Sequence, residues 1–190
     1  MAKMKHSRHL QKDSFNSKSG KKISVRQVET GDESILFDFA KEIESEDTYI
    51  TLNPDEPITW EEEEKYVAGL LKKIEDKKAV HLLAFDGDKL VGGCGVEIEG
   101  KRQNHVGRLG ITLVKDYRSD GIGKKLMELT IKKARRDVLV EQVVLDCLAN
   151  NKVGRSLYEK SGFVVYGRQP KAMKFRGNLV DKLLFYKNLI

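Results

Sequence analysis

The chain has 190 residues, of which 39% are hydrophobic and 34% are charged, and its formal net charge is +6. This composition is typical of a single globular domain and excludes a disordered protein. No apolar run reaches the ~18 residues that a membrane-spanning helix requires, so we expect no membrane association.

The excess positive charge lies at the start of the chain, because residues 1–22 carry seven basic side chains and one acidic side chain. We therefore expect a basic, flexible leader at 1–22 and one folded domain at 23–190, and we do not expect that domain to bind nucleic acid. The leader lacks the apolar segment of a secretory signal, and its loosely spaced histidines predict no metal site. Cys94 and Cys147 lie in apolar runs, which favours a reducing, cytoplasmic location.

The first predicted elements are a strand and two helices. Apolar and polar residues alternate over 23–28, as in a half-buried strand. The stretches TGDE at 30–33 and TWEE at 59–62 have the spacing of capping boxes, so each predicts the start of a helix. Four glutamates at 61–64 open the second helix, and we interpret them as complementing its positive end rather than as a cation site.

Apolar runs separated by turn residues then predict a series of further strands and helices. These are strands at 79–85, 89–100, 105–114 and 140–148, a helix that opens at Gly121, a short helix that ends at Gly162, and closing strands at 163–168 and 182–189. Asp86 and Gly87 are typical of a hairpin turn, and Gly107 and Gly110 predict a bulge in their strand. The fold class is therefore α/β, a mixed and mainly antiparallel sheet flanked by helices, whose final strand has an exposed edge that would suit a homodimer.

The stretch YRSDGIGKK at 117–125 lies between a predicted strand and a predicted helix. The first amides of a helix have no acceptor within it, and the helix dipole favours an anion there. Gly121 and Gly123 let a ligand approach the backbone, so this corner is predicted to bind a pyrophosphate. The known loops for nucleoside triphosphates and dinucleotides do not fit, because Arg118 and Leu126 stand where those patterns need glycine.

The spacing R-x-x-G-x-G from Arg118 to Gly123 resembles the acyl-CoA-binding motif of the GNAT superfamily of N-acetyltransferases. A second stretch, NKVGRSLYEKSGF at 151–163, is similar to that family's N-x-x-A-x-x-L-Y-x-x-x-G-F, with Gly154 where alanine is usual. The order of the elements agrees from about residue 23 to 188. The chain thus resembles a GNAT N-acetyltransferase, similar to members acting on ribosomal-protein alanine or on small amines.

This resemblance implies acetyl-CoA as co-substrate and a set of residues that bind it. The pantetheine arm would add to the sheet like a strand, the pyrophosphate would bind main-chain amides, and Asn151 would hydrogen-bond the arm. The implied cofactor-binding residues are Ile111, Thr112, Leu113, Arg118, Ser119, Asp120, Gly121, Ile122, Gly123, Lys124 and Asn151.

Amine acetylation also needs an acid and a base. An alkyl amine has a pKa of about 10.4 and must lose a proton, and the departing thiolate gains one. The resemblance implies Tyr158 as the acid. Asp146, where ribosomal-protein alanine acetyltransferases carry a glutamate, and Glu97 are the candidate bases. Arg108 replaces an acid that many relatives carry, which either moves the base elsewhere or changes the charge of the substrate.

The predicted function is direct transfer of an acetyl group to a primary amine of a small molecule, such as an amino acid or a polyamine. Segments at about 46–66 and 167–180 are expected to shape the acceptor pocket. The alternatives are a protein N-terminal acetyltransferase of the ribosomal-protein type and a non-catalytic acyl-CoA-binding module. Cys147, His81 and His105 are interpreted as structural residues.

Overall fold

The computed structural model describes residues 13–49 and 55–190, in which an eight-stranded sheet carries four helices. The strands are β1 (Asp13–Asn16), β2 (Lys22–Gln27), β3 (Ala79–Asp86), β4 (Lys89–Gly100), β5 (Gln103–Leu113), β6 (Gln142–Leu148), β7 (Val164–Phe175) and β8 (Asn178–Asn188). The helices are α1 (Glu33–Ser45), α2 (Trp60–Glu75), α3 (Ile122–Asp137) and α4 (Lys152–Lys160). The histidines of the N-terminal segment lie outside the described residues.

The sheet has the order β1-β2-β3-β4-β5-β6-β8-β7, and β5 and β6 are its parallel pair. The crossover through α3 makes this pair parallel, and the other neighbours are antiparallel. The predicted mixed, mainly antiparallel fold is confirmed. The prediction that the final strand forms an exposed edge is wrong, because β8 pairs with β6 on one side and with β7 on the other.

Helices cover both faces of the sheet. On one face, α3 buries an apolar stripe that includes Ile122, Leu126 and Met127 against β3 and β4. On the other face, Val67 of α2 packs with Leu36 of α1 and Leu83 of β3. Each such side chain stabilises the fold by about 1.5–3 kcal/mol on burial. In the described ranges, no helix has the length and apolar character needed to span a membrane.

Strand β5 separates from β6 after a short parallel contact. The two strands pair over Val106–Arg108 and Gln142–Val144, whereas β5 stays paired with β4 as far as Leu113. The main-chain groups of β5 that face β6 beyond Arg108 therefore have no partner strand among the described residues. The predicted bulge in β5 is confirmed beside Gly107, where the β4–β5 register shifts between the pairs Ile98–Gly107 and Gly100–Gln103, whereas the register is continuous at Gly110.

One of the two predicted capping boxes is confirmed. At the start of α2, Glu62 N donates to Thr59 Oγ1 at 3.3 Å and Thr59 N donates to Glu62 Oε2 at 2.9 Å. The other is wrong, since the N-cap of α1 is Asp32 and makes no side-chain capping bond. The carboxylate of Asp32 is instead buried against Arg26, with the nearest N–O distance at 2.6 Å.

The N-terminal hairpin contacts the corner that was predicted to bind a pyrophosphate. Strand β1 pairs with β2, and the turn between them places Ser19 against Asp120. Ser19 N and Oγ donate to the Asp120 carboxylate at 2.7 and 2.6 Å. Residues 13–22, which the charge pattern assigned to the leader, therefore lie within the folded structure.

Candidate active site

A cavity of about 930 Å³ opens over the sheet face that carries α1 and α2. Strands β4, β5 and β6 form its floor, α2 borders one side, and α1 contributes an apolar wall of Leu36, Phe39, Ala40 and Ile43. The cavity reaches the place where β5 and β6 separate, since Ile111 and Leu148 also line it. One space thus connects the unpaired edge of β5 with the region beneath the two helices.

The edge of β5 carries the residues expected to bind the pantetheine arm. Ile111 and Thr112 line the cavity, as does Asn151 across the gap. Asn151 is the N-cap of α4, and its Oδ1 accepts a hydrogen bond from Gly154 N at 2.9 Å. Its amide nitrogen makes no hydrogen bond to any described residue, so the side chain can donate to a ligand while it caps the helix. An amide-containing arm fits these main-chain and side-chain groups.

The predicted pyrophosphate corner, residues 118–124, connects a 3-10 turn at Lys115–Tyr117 to the start of α3. Ser119 and Gly121 have left-handed φ angles of 64° and 84°, and Gly121 is the N-cap. A Cβ at Gly123 would lie 3.1 Å from Leu113 Cδ1, so glycine allows α3 to start close to the end of β5. The unpaired amides of a helix start fit an anionic group.

The side chain of Arg118 is bound within the protein and is not free to contact a phosphate. Its Nε donates to the carbonyl oxygen of Leu113 at 2.9 Å, and its guanidinium also contacts Thr48 and forms an ion pair with Glu46. Arg118 therefore fastens the corner to the end of α1. Lys18 of the N-terminal hairpin lies nearby, since a Cβ at Gly121 would be 3.4 Å from Lys18 Cγ.

Tyr158 lies on α4 at the inner end of the cavity and is 9% exposed. Its ring packs between Phe163 and Phe185, with ring centroids 6.1 and 5.7 Å away. Burial raises the pKa of the Tyr158 hydroxyl above its usual value, so this group stays protonated at neutral pH. Burial also raises the pKa of Cys147 to about 11, which keeps the neighbouring thiol in its unreactive form.

Both predicted bases line the cavity, and both are ion-paired. Asp146 accepts a hydrogen bond from Arg108 Nη1 at 3.0 Å and lies 3.6 Å from Lys182 Nζ. Glu97 pairs with Lys73 Nζ at 2.6 Å. Arg108 also pairs with Glu99, so two acids compensate its charge.

Sequence reasoning missed the position of His81. Its imidazole lies across β4, because a Cβ at Gly95 would be 2.7 Å from Nδ1 and a Cβ at Gly93 would be 3.1 Å from Nε2. Burial lowers the pKa of His81 to about 4, so the ring is neutral at physiological pH. These two glycines of β4 leave space for the imidazole ring. The sequence around His81 does not show which strand lies beside it.

Sequence reasoning also missed Glu63, which lines the cavity from α2 and is 6% exposed. Burial raises the pKa of its carboxyl group. Within 13–49 and 55–190, its side chain has no hydrogen-bond or ion-pair partner. One signal was available, because Glu63 precedes the buried Val67 by one helical turn and so shares its face. The same ranges contain no group of three or more metal-ligating side chains.

Comparison with known proteins matches the model of the Acetyltransferase (GNAT) family to residues 42–163. No curated protein sequence matches the chain. Among solved structures, an acetyltransferase of the GNAT family from Streptococcus pneumoniae is 27% identical, with a TM-score of 0.79 over 88% of this chain and 99% of that one.

Two further solved structures have the same fold at lower identity. Ribosomal-protein-S5-alanine acetyltransferase from Vibrio fischeri is 18% identical, with a TM-score of 0.77 over 93% of this chain and 96% of that one. The Salmonella typhimurium protein yncA, solved with its cofactor acetyl-CoA, is 15% identical, with a TM-score of 0.76 over 88% of this chain and 94% of that one.

Proposed function

The chain belongs to the GNAT acetyltransferase family and is an acetyl-CoA-dependent N-acetyltransferase, and we propose that its acceptor is a primary amine of a small molecule, such as an amino acid or a polyamine. The observation that carries this proposal is the cavity over β4–β6, which joins the unpaired edge of β5 to an acid-lined space under α1 and α2. Such a space accommodates a small cationic amine beside the thioester.

We propose that the cofactor binds along the opening between β5 and β6. The arm would hydrogen-bond the main chain of Ile111–Leu113 and the Asn151 amide, and the pyrophosphate would bind main-chain amides at 118–124. This segment includes Ser119, Asp120, Ile122 and Lys124, which would contribute main-chain groups rather than side chains. The unpaired β5 edge, the helix start at Gly121 and the close approach at Gly123 support these assignments.

The proposed reaction is a direct transfer. The neutral amine nitrogen forms a bond to the acetyl carbon as the carbon–sulfur bond breaks, and a main-chain N–H of β5 stabilises the charge on the carbonyl oxygen. Tyr158 gives its proton to the departing thiolate. Asp146, which lies on the strand that borders the opening, takes the proton lost by the amine through a water molecule, and Glu97 is the second candidate for this role.

We also propose that one acetyltransferase domain includes the strands beyond the family match, since β7 and β8 complete the same sheet.

A cytoplasmic location is supported by the two cysteines, which are free and buried.

Titration with acetyl-CoA by calorimetry, followed by thiol release with a panel of amines and N-terminal peptides, tests the proposal. We expect saturable binding to the wild-type protein and none to Gly121→Glu, because a carboxylate at the N-cap would repel the pyrophosphate and occupy its space. Lys22→Ala, on the neighbouring hairpin, is the matched surface control. Thiol release with small amines supports the proposed acceptor, and release with peptides alone would overturn it.

A further inference from the structure

Glu63 is a buried carboxylate that the proposed reaction does not use. It is 6% exposed and lines the cavity, and its side chain has no partner in the described part of the chain. Its carboxylate oxygens are not among the fully enclosed unpaired atoms of the described residues, so they are open to a ligand in the cavity. A cation bound there would offset the cost of burying the charged form of the side chain. The other acids of its helical turn differ, because Glu61 and Glu64 are exposed and Glu62 takes part in the capping box. The helix dipole favours an acid at each of these positions, so it does not explain why the side chain of Glu63 faces inward.

The negative charges of the other acids in the cavity lining are either paired with a basic side chain or exposed to solvent. Glu97 pairs with Lys73, Asp146 pairs with Arg108, and Glu56 is exposed to solvent. His81 is neutral at physiological pH and adds no charge of its own. Glu63 is thus the buried acid of the described cavity lining that a cationic ligand would neutralise.

Glu63 and the proposed position of the thioester belong to different parts of the sheet face. The proposed transfer takes place where β5 and β6 separate, whereas α2, which carries Glu63, packs on β3, two strands away from β5. Two strand spacings are roughly 10 Å. The same cavity has an apolar wall, with Phe39 and Ala40 of α1 among its members. An aliphatic chain fits this wall, and a cation at its far end meets the carboxylate.

We infer that Glu63 binds a second, protonated nitrogen of the acceptor, so that the preferred substrates are aliphatic diamines or polyamines. This inference rests on the proposed function and narrows it. One nitrogen is acetylated beside Tyr158 while the other remains charged and is held by Glu63.

The test compares butane-1,4-diamine with butylamine, which has the same carbon chain and lacks the second nitrogen. We expect the wild-type enzyme to have a kcat/KM for the diamine at least about tenfold higher than for the monoamine, as for a close charge pair in a desolvated site. Glu63→Gln should abolish this preference through the KM for the diamine and leave the KM for acetyl-CoA unchanged. Glu64→Gln, one residue away on the exposed face, should keep the preference.

Thermal unfolding of the same variants separates recognition from a structural role. Glu63→Gln removes an uncompensated buried charge, so its Tm should equal or exceed that of the wild type. A lower Tm together with an unchanged diamine preference would assign Glu63 to the structure and overturn the inference. Equal turnover of the two amines by the wild type, or turnover of neither when other small amines of the panel are acetylated, would overturn the inference alone. Turnover of no small amine in the panel would overturn the proposed function as well.

Discussion

Tyr158 combines a packing role in the core with the role of general acid that we propose for it. Its ring fills the core between Phe163 and Phe185, and the same burial keeps the hydroxyl protonated. The hydroxyl makes no hydrogen bond to a described residue, and Tyr158 lines the cavity. The hydroxyl is therefore protonated and open to the cavity, which is the placement that the proposed proton transfer to the thiolate requires.

Removal of the Tyr158 hydroxyl should impair turnover without loss of structure. For Tyr158→Phe we expect kcat to fall by about 10²-fold or more, since a positioned acid contributes 10²–10⁴-fold. The affinity for acetyl-CoA and the Tm should change little, because the aromatic packing is retained. Steady-state kinetics and calorimetry measure these quantities, with Tyr166→Phe on the exposed edge strand as control. An unchanged kcat would show that another group protonates the thiolate.

At the scale of elements, two glycines of β5 differ in how closely other atoms pack around them. A Cβ at Gly107 would lie 2.4 Å from Val96 Cγ1, whereas a Cβ at Gly110 would have no described atom within 4 Å. Gly107 thus allows close packing, and Gly110 keeps the floor of the cavity open, since it is part of the cavity lining.

The two matched alanine variants should therefore separate stability from activity. Gly107→Ala overpacks the core and should lower the free energy of unfolding by about 1–3 kcal/mol, as measured by urea denaturation. Gly110→Ala should leave stability nearly unchanged and reduce kcat/KM for the acceptor, because its methyl group enters the cavity. Equal losses of stability in the two variants would contradict this division of roles.

Elements specified by short-range contacts were the ones that the sequence predicted well. The α2 cap depends on Thr59 and Glu62 alone, and it was predicted correctly. The α1 cap was not, because Asp32 pairs with Arg26 on β2 rather than with its own helix. The bulge occurs beside Gly107 and not at Gly110. The sequence could not distinguish these two glycines, since the close neighbours of Gly107 are Val96 and Val140, on other segments of the chain.

The same distinction applies to the candidate site. The helix start at the corner 118–124 could be predicted because it depends on consecutive residues, and its binding of a pyrophosphate stays a prediction. The positions of Glu63 and His81 could not, because each depends on which elements enclose the cavity. Asp146 and Glu97 were chosen by strand position, and their ion pairs with Arg108 and Lys73 involve residues distant in the chain.

At the scale of the whole molecule, the segment after α1 connects the corner proposed to bind the cofactor with the segments proposed to border the acceptor. Glu46 forms an ion pair with Arg118 and accepts a hydrogen bond from Lys115 N at 2.8 Å. The next residue, Asp47, pairs with Arg176 of the β7–β8 turn at 2.8 Å. Segments that border the acceptor cavity are thus fastened to the corner expected to bind the pyrophosphate.

Glu46→Gln tests whether this connection supports cofactor binding. Its carboxylate is 11% exposed, so the loss of charged hydrogen bonds to Arg118 and Lys115 should lower the free energy of unfolding by about 1.5–3 kcal/mol. The KM for acetyl-CoA should rise, because the corner at 118–124 loses its support. Glu42→Gln removes the exposed pair with Lys89, and we expect a loss of at most about 1 kcal/mol and no change in this KM. Urea denaturation and steady-state kinetics measure both effects, and equal behaviour of the two variants would show that the corner holds its shape without α1.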